Sequence, residues 1–180
     1  VGMSKELHDR FDTFRDTFEQ CCSIYQAQTD LDLRPLLLAD AANDELNETL
    51  TNTTYAQPAI FIHAYAMAKQ LLQWDIKPEL MLGHSLGEYV VACLSGVFSI
   101  EHALMLVAER ARLMNLTENG AMLSVAASQA LVTSELRYMD VDALDIAAVN
   151  GPESVVLSGS KRDIVRATQH FEVQGHSTRE

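Results

Sequence analysis

Cysteine, long apolar runs and a basic leader are scarce or absent here, and each absence excludes a class of protein. Three cysteines, two of them adjacent as Cys21 and Cys22, cannot form the disulfide framework of a small secreted domain. The longest apolar run, Tyr89 to Leu94, is about six residues and far shorter than a membrane span. No basic segment followed by an apolar one opens the sequence, so we expect no signal peptide. These absences predict a cytoplasmic protein without a membrane segment.

Positive charge is also scarce, with 13 Lys and Arg against 25 Asp and Glu and a formal net charge of −12. Nucleic-acid binding usually requires a basic surface, so we expect no nucleic-acid partner. We also expect no metal site, because adjacent cysteines on a helix point in different directions. The chain has 180 residues, 48% of them hydrophobic, which is enough for one domain, or a domain plus a small subdomain, with a real core.

The first part of the sequence predicts helices separated by a polar loop. Aromatic residues at three- and four-residue steps predict an amphipathic helix over residues 4–25, with Ser4 as its N-cap. Residues 29–54 favour a loop with short helical turns. Pro58 fits the first turn of a helix, a position where its missing N–H costs nothing, and this helix is predicted to end near Trp74.

A four-residue segment, Glu79-Leu80-Met81-Leu82, in which the last three residues are apolar, lies between that helix and two further helices. Its composition predicts a short buried strand. Helices are predicted over residues 86–95 and 100–115, the second with Ser99 as its N-cap.

The last third of the sequence changes character near Asn119 and Gly120. It predicts strands and helices in the order β-α-β-β-α, which is a ferredoxin-like unit that lacks its last strand. Asn150-Gly151-Pro152 predicts a tight connection between the second and third strands. The predicted elements, in chain order, are a strand over 122–126, a helix over 129–138, strands over 144–149 and 154–157, and a helix over 161–171.

The motif that carries chemistry is Gly83-His84-Ser85-Leu86-Gly87, a G-x-S-x-G sequence between a predicted strand and a predicted helix. This is the context of a nucleophile elbow, in which a sharp turn exposes the serine Oγ and flanking glycines leave room for the strained backbone. The Leu86 N–H, at the start of the helix, would stabilise a developing oxyanion with help from the helix dipole.

With Glu88 and Tyr89 added, this motif resembles the elbow of the malonyl-CoA:acyl-carrier-protein acyltransferase family, in particular the acyltransferase domains of modular polyketide synthases. The resemblance implies an α/β fold, with a partial α/β-hydrolase-like large subdomain over 1–117 and an incomplete ferredoxin-like small subdomain over 118–180. Further segments resemble the family in the same order, namely Thr54–Phe61, Arg110–Met114, Gly120–Leu123, Ala147–Pro152 and Val156–Gly159.

The resemblance implies a ping-pong reaction with named residues. Ser85 would attack the thioester of malonyl-CoA, and the phosphopantetheine thiol of an acyl carrier protein would then take the acyl group from the acyl-serine. Arg110 matches the family's carboxylate-binding arginine, whose planar fork binds the free carboxylate of a malonyl group bidentately. Gln57 matches a glutamine that lines the pocket, His84 flanks the nucleophile, and Asn150 is a further pocket candidate.

Two positions bear on the acyl group. Leu86 after the serine and Tyr55-Ala56-Gln57 before the proline are associated in this family with malonyl rather than methylmalonyl units. That choice concerns one methyl group, worth about 1–3 kcal/mol in an apolar pocket. The resemblance implies no bound cofactor, with malonyl-CoA as the substrate. It implies an acyl carrier protein and adjoining polyketide synthase domains, such as the ketosynthase, as partners.

A serine nucleophile needs a base, and the resemblance implies that the base is not among the six histidines of this chain. His84 adjoins Ser85 but points elsewhere at an elbow, and His176 matches the segment just before the family's histidine motif. The remaining four, His8, His63, His102 and His170, lie in predicted helices. The resemblance therefore implies an acyltransferase cut at both ends, with its base beyond Glu180 and its N-terminal strand and oxyanion loop before Val1.

Alternatives remain open both for the function of the chain and for the roles of single residues. A serine hydrolase or thioesterase would use water as the acceptor, and a non-catalytic fragment would only contact other domains. On sequence alone, Arg110 could be a surface residue of its helix, Gln57 a helix-start hydrogen-bonding residue, and Asn150 a turn residue before Gly-Pro.

Overall fold

The structure, a computed structural model, describes residues 1–41, 43–117, 120–139, 141 and 143–180. These divide into two compact units, Val1–Thr117 and Glu118–Glu180. Asn119, where the sequence predicted a change of character, lies outside the described residues. None of the helices formed by the described residues is long and apolar enough to cross a membrane.

The first unit consists of helices. Three of them, α2, α5 and α7, supply most of its core, with Phe14, Phe18 and Tyr25 of α2 fully buried at helical spacing. The short α3 and α4 fall within 29–54, as the sequence predicted. The helices are α1 (Lys5–Arg10), α2 (Asp12–Thr29), α3 (Arg34–Leu37), α4 (Asp44–Thr51), α5 (Thr53–Gln73), α6 (Gly87–Leu94) and α7 (Ile100–Asn115).

The helix predicted over 4–25 is two helices, because the backbone is extended at Phe11. The Ser4 side chain makes no capping bond and instead contacts Nδ1 of His63 at 3.0 Å. The second helix, α2, also lacks a local side-chain cap. Its Phe14 N–H donates to Oε1 of the buried Gln70 at 3.0 Å, so a side chain from α5 satisfies the first turn of α2.

The start of α5 was also predicted wrongly, since α5 begins at Thr53 and Pro58 lies inside the helix. Asn52 is a strong N-cap, and its side chain accepts from the Thr54 N–H at 2.9 Å. A proline inside a helix leaves the carbonyl four residues earlier without its donor. The Tyr25 hydroxyl lies 3.4 Å from that carbonyl, the one of Thr54.

The strand predicted over 79–82 does not form. Leu80 and Leu82 are 88% and 89% exposed, and the segment has no regular secondary structure. A strand needs a neighbouring backbone to pair with, and the described part of this unit contains no other strand. The two following helices match their predictions, and the Ser99 side chain caps α7 by accepting from the His102 N–H.

The second unit is a four-stranded antiparallel sheet with two helices, in the strand order β2-β3-β1-β4. The predicted β-α-β-β-α order and ferredoxin-like fold are confirmed. The prediction that the last strand is lacking was wrong, since Thr178 and Arg179 pair with Val125 and Ser124 of β1. The elements are β1 (Gly120–Val125), α8 (Gln129–Leu136), β2 (Leu144–Gly151), β3 (Ser154–Ser160), α9 (Lys161–Val173) and β4 (Thr178–Arg179).

Asn150 is not in the turn between β2 and β3. The hairpin closes on Pro152 and Glu153, with Gly151 paired to Ser154, so β2 extends past Asn150. The register shifts between Val149 and Gly151, which places the exposed Asn150 at a bulge. The prediction failed because a proline that cannot donate to the ladder shifts the turn from Asn150-Gly151 to the next two residues, Pro152 and Glu153.

Candidate active site

The backbone at Ser85 has the geometry of a nucleophile elbow. Its φ is +52°, in the left-handed region that costs a serine about 1–2 kcal/mol. The turn is closed by hydrogen bonds from Gly87 N to the His84 carbonyl at 2.9 Å and from Glu88 N to the Ser85 carbonyl at 3.1 Å. Ser85 is exposed. The turn therefore presents the hydroxyl to solvent immediately before α6, as the motif predicted.

The two glycines of the motif have different roles. A Cβ on Gly83 would lie 2.1 Å from the Gly87 carbonyl carbon and 2.2 Å from the Glu88 nitrogen, so no side chain fits there. The Gly83 N–H donates to Oε1 of Glu88 at 3.1 Å, which ties the entry of the turn to α6. Around Gly87, by contrast, no described atom beyond its own turn lies within 4 Å of an added Cβ. The sequence had assigned both glycines a steric role, and only Gly83 has one here.

The Leu86 N–H is available to an oxyanion. Leu86 is the N-cap residue of α6, and its N–H donates to no acceptor among the described residues. The N-terminus of a helix carries partial positive charge from its oriented peptide dipoles. A negative charge that develops beside Ser85 would therefore meet a donor and a favourable field.

Gln57 and Arg110 are in contact. Nη1 of Arg110 donates to Oε1 of Gln57, and Nε2 of Gln57 donates to Sδ of Met114 at 3.1 Å. Gln57 is 7% exposed, so its amide is fixed inside the unit. The Arg110 guanidinium also lies over the ring of Tyr89, with Cζ 5.9 Å from the ring centroid. Arg110 of α7 is thus contacted by Gln57 of α5 and by Tyr89 of α6.

Arg110 is half-buried and has no carboxylate partner among the described residues. Other arginines of this unit do have one. Arg34 binds Glu19 and Arg112 binds Glu109, each at 2.7 Å. In a chain with 25 acidic residues, a partly desolvated guanidinium without a carboxylate is the arrangement expected of an anion-binding side chain.

No histidine of the described chain is hydrogen-bonded to Ser85. The His84 side chain is exposed and bonds to none of the described residues. His8 pairs with Glu19 at 3.0 Å and His170 with Glu135 at 2.7 Å. His63 contacts Ser4, His102 is exposed on α7, and His176 contacts the Ala126 carbonyl at 3.2 Å.

Of the predicted site residues, the elbow triplet His84, Ser85 and Leu86 lies on one turn, and Gln57 and Arg110 are in contact with each other in the same unit. Asn150 belongs to the second unit. Sequence reasoning missed two residues around this pair, namely Tyr89, which contacts Arg110, and Met114, which contacts Gln57. Met114 could have been found, because it lies four residues after Arg110 on one helix face. The only sequence signal for Tyr89 was its position at the end of the motif Gly83–Tyr89.

Among the described residues, no group of three or more His, Cys, Asp or Glu side chains could hold a metal ion. Cys21 and Cys22 are buried, and burial raises the pKa of each thiol to about 12. Both thiols therefore stay protonated near neutral pH and are poor metal ligands and nucleophiles.

A serine with left-handed backbone immediately before a helix, followed by a backbone N–H without an acceptor among the described residues, has the geometry of a nucleophile elbow. The chain belongs to the Acyl transferase domain family, whose profile matches residues 1–180. The resemblance found in the sequence is thereby confirmed.

Individual relatives agree with this assignment. Over 177 residues the chain is 36% identical to the phenolphthiocerol synthesis polyketide synthase type I Pks15/1 of Mycobacterium marinum, covering 97% of this chain and 8% of that protein. The acyl transferase domain of ZmaA superposes with a TM-score of 0.89 at 34% identity, over 99% of this chain and 42% of that one. The malonyl CoA-acyl carrier protein transacylase of Burkholderia pseudomallei superposes with a TM-score of 0.76 at 29% identity, over 94% and 55%. The chain thus spans under half of the ZmaA domain and a small part of the polyketide synthase.

Proposed function

We propose that this chain carries the acyl-transfer centre of a polyketide synthase, which moves a malonyl group from malonyl-CoA to an acyl carrier protein. The observation that carries the proposal is the left-handed, exposed Ser85 at an elbow whose unit also holds the unpaired Arg110. The family and the polyketide synthase relatives support the reaction class.

In the proposed reaction, Ser85 Oγ attacks the thioester carbonyl carbon of malonyl-CoA and loses its proton to a base. The carbon–sulfur bond breaks, coenzyme A leaves as the thiol after taking up a proton, and malonyl-Ser85 remains. The phosphopantetheine thiol of the carrier protein then attacks the ester and regenerates the serine. The Leu86 N–H would stabilise the oxyanion in both steps. No oxidation state changes, so the reaction requires no redox cofactor.

Selection of malonyl is assigned to Arg110, which would bind the free carboxylate bidentately while Gln57 holds one of its N–H groups. The transacylase of Burkholderia pseudomallei, whose name specifies malonyl CoA, supports this choice. Leu86 and Tyr55-Ala56-Gln57 carry the finer preference over methylmalonyl. His84 remains a candidate for the pocket, and the role of Asn150 stays a prediction from the resemblance.

The partners follow from the proposed reaction. An acyl carrier protein accepts the malonyl group, and adjoining polyketide synthase domains such as the ketosynthase use it. The multidomain relatives support this arrangement. A cytoplasmic location stays a prediction from the cysteine content.

Acylation of this chain by itself should be slow, because none of its described histidines is hydrogen-bonded to Ser85. A small external base can replace a missing one, so the test includes imidazole. The chain is incubated with malonyl-CoA and imidazole, and malonyl-Ser85 is measured by intact mass and peptide mapping. We expect an adduct that is absent from Ser85→Ala and reduced at least tenfold in Arg110→Ala, the usual scale for one lost charged contact.

The other outcomes distinguish the alternatives. Acylation that is equal for malonyl-CoA and acetyl-CoA and indifferent to Arg110→Ala, followed by rapid release of the free acid, would indicate a hydrolase or thioesterase. Absence of any Ser85 adduct, with imidazole present, would contradict the enzyme assignment and leave a non-catalytic contact role.

A further inference from the structure

The ring of Tyr89 is the second support of the Arg110 guanidinium. Cζ of Arg110 lies 5.9 Å from the ring centroid, within the distance at which a cation is attracted to an aromatic face. Tyr89 is half-buried and lies in the first turn of α6, whose preceding residues form the Ser85 elbow. Its N–H donates to the Leu86 carbonyl at 3.1 Å, so its backbone is part of the same turn structure as the nucleophile.

Gln57 alone cannot fix the orientation of Arg110. It accepts from one guanidinium nitrogen, and its own amide nitrogen is engaged by Met114. A planar group held by a single edge hydrogen bond can still rotate about that bond. An aromatic face removes this freedom, because the guanidinium is attracted over the ring. The Tyr89 ring therefore restrains the plane of the Arg110 guanidinium, and the Gln57 amide oxygen holds one of its N–H groups.

We propose that Tyr89 is a positioning residue for the acyl group's carboxylate, an inference that rests on the proposed malonyl transfer. Only one methylene separates the two carbonyl carbons of a malonyl group. The arginine must therefore keep a fixed distance from Ser85, with a tolerance well below the length of the group. Because Ser85 lies immediately before α6 and Tyr89 lies in the first turn of that helix, Tyr89 couples the position of Arg110 to that of the nucleophile.

The size of the effect follows from the strength of such contacts. Loss of the ring should weaken carboxylate binding about 2- to 30-fold, which is the range for one cation–π contact from exposed to partly desolvated sites. Neutral acyl groups do not use Arg110, so their transfer should not change. This selectivity distinguishes positioning from a general structural role.

The first experiment observes Arg110 directly and does not depend on catalysis. The Nε–Hε signals of the arginines are recorded by NMR in the wild-type chain, in Tyr89→Phe and in Tyr89→Leu, with Arg110→Lys used only to assign the signal. We expect an upfield ring-current displacement of the Arg110 signal in the wild type and in Tyr89→Phe, and its loss in Tyr89→Leu. Free malonate is then titrated, and its dissociation constant should rise about 2- to 30-fold in Tyr89→Leu alone.

The second experiment compares malonyl-CoA with acetyl-CoA under the imidazole conditions described above. Tyr89→Leu should raise the malonyl-CoA concentration for half-maximal acylation by the same factor as the malonate dissociation constant, and leave acetylation unchanged. Tyr89→Phe, which keeps the ring, should behave as the wild type. If Tyr89→Leu fails to fold, Tyr89→Met replaces it, since methionine keeps a similar apolar volume.

Several results would overturn the inference. They are an Arg110 signal without ring-current displacement in the wild type, a Phe variant that behaves like the Leu variant, and an equal loss of malonyl and acetyl transfer. Failure of the proposed function itself looks different. In that case the wild type forms no Ser85 adduct, while the NMR spectra and the malonate titration still decide whether Tyr89 positions Arg110.

Discussion

The two units differ in the structure that a short, mainly apolar segment adopts. The sequence predicts a strand over 79–82 in the first unit and another over 122–126 in the second. The second forms as β1, with Leu123 and Val125 fully buried. The first remains irregular, with Leu80 and Leu82 almost fully exposed.

The difference teaches that apolar composition specifies a strand only where a partner backbone is present. In the second unit, β1 pairs with β3 over six residue pairs and with β4 over two. In the described part of the first unit, helices supply nearly all of the core and form no backbone hydrogen bond with segment 79–82. The first of three predictions tests this contrast directly, and the other two probe the packing of the first unit, in order of decreasing expected effect.

The largest effect is expected from the same substitution made in both segments. Leu123, in β1, is fully buried, and Leu123→Ala should lower the free energy of unfolding of the second unit by about 2–5 kcal/mol, from lost burial and a cavity. Leu82→Ala, at an exposed position, should change stability by less than about 0.5 kcal/mol. Urea unfolding followed by far-UV circular dichroism measures both. Equal losses would show that segment 79–82 is packed in solution.

An intermediate effect is expected from Gly83→Ala. The added Cβ overlaps the backbone at Gly87 and Glu88, so the elbow must distort, at a cost of about 1–3 kcal/mol. The single tryptophan, Trp74, lies in the first unit and reports its unfolding by fluorescence.

Gly87→Ala is the matched control, since its Cβ meets open space and alanine is favoured in a helix. It should leave the transition unchanged or raise it slightly. A Gly87 variant as damaging as the Gly83 variant would contradict the steric account of the turn.

The smallest effect is a pH dependence confined to the first unit. Burial lowers the pKa of the His63 imidazole below its ordinary value of 6.5. Below that pH the unfolded chain binds a proton that the folded chain disfavours, so stability falls as the pH decreases from 7.5 toward 5.5. The difference between wild type and His63→Asn, followed at Trp74, should shrink with decreasing pH. A difference that stays constant with pH would assign the dependence to another group.

Most of the fold could be predicted from the sequence, because local periodicity and caps determine most of its elements. Ser99 specifies the start of α7, and alternation specifies the strands of the second unit. Several of the errors occur where a distant residue decides. The break at Phe11, the pairing of β4 and the absence of a strand over 79–82 all depend on partners that no local pattern reveals.

The sequence predicted those residues of the site that belong to a recognisable motif. Ser85 and Leu86 follow from the elbow pattern, and Gln57 and Arg110 from the resemblance. Their mutual contact joins residues 53 positions apart, and the Tyr89 ring joins it from a third helix. Such a meeting of three helices depends on their packing and cannot be deduced from residue spacing in one of them.

The side chain that caps α2 has a consequence for the order of folding. The acceptor for the Phe14 N–H is Gln70, 56 residues away. The first turn of α2 therefore cannot complete its hydrogen bonds until α5 has docked against it, unlike α7, whose cap lies one residue before its first turn. Loop closure over such a distance is slower than helix growth. The beginning of α2 should thus be among the last backbone of its unit to become protected, although it stands near the beginning of the chain.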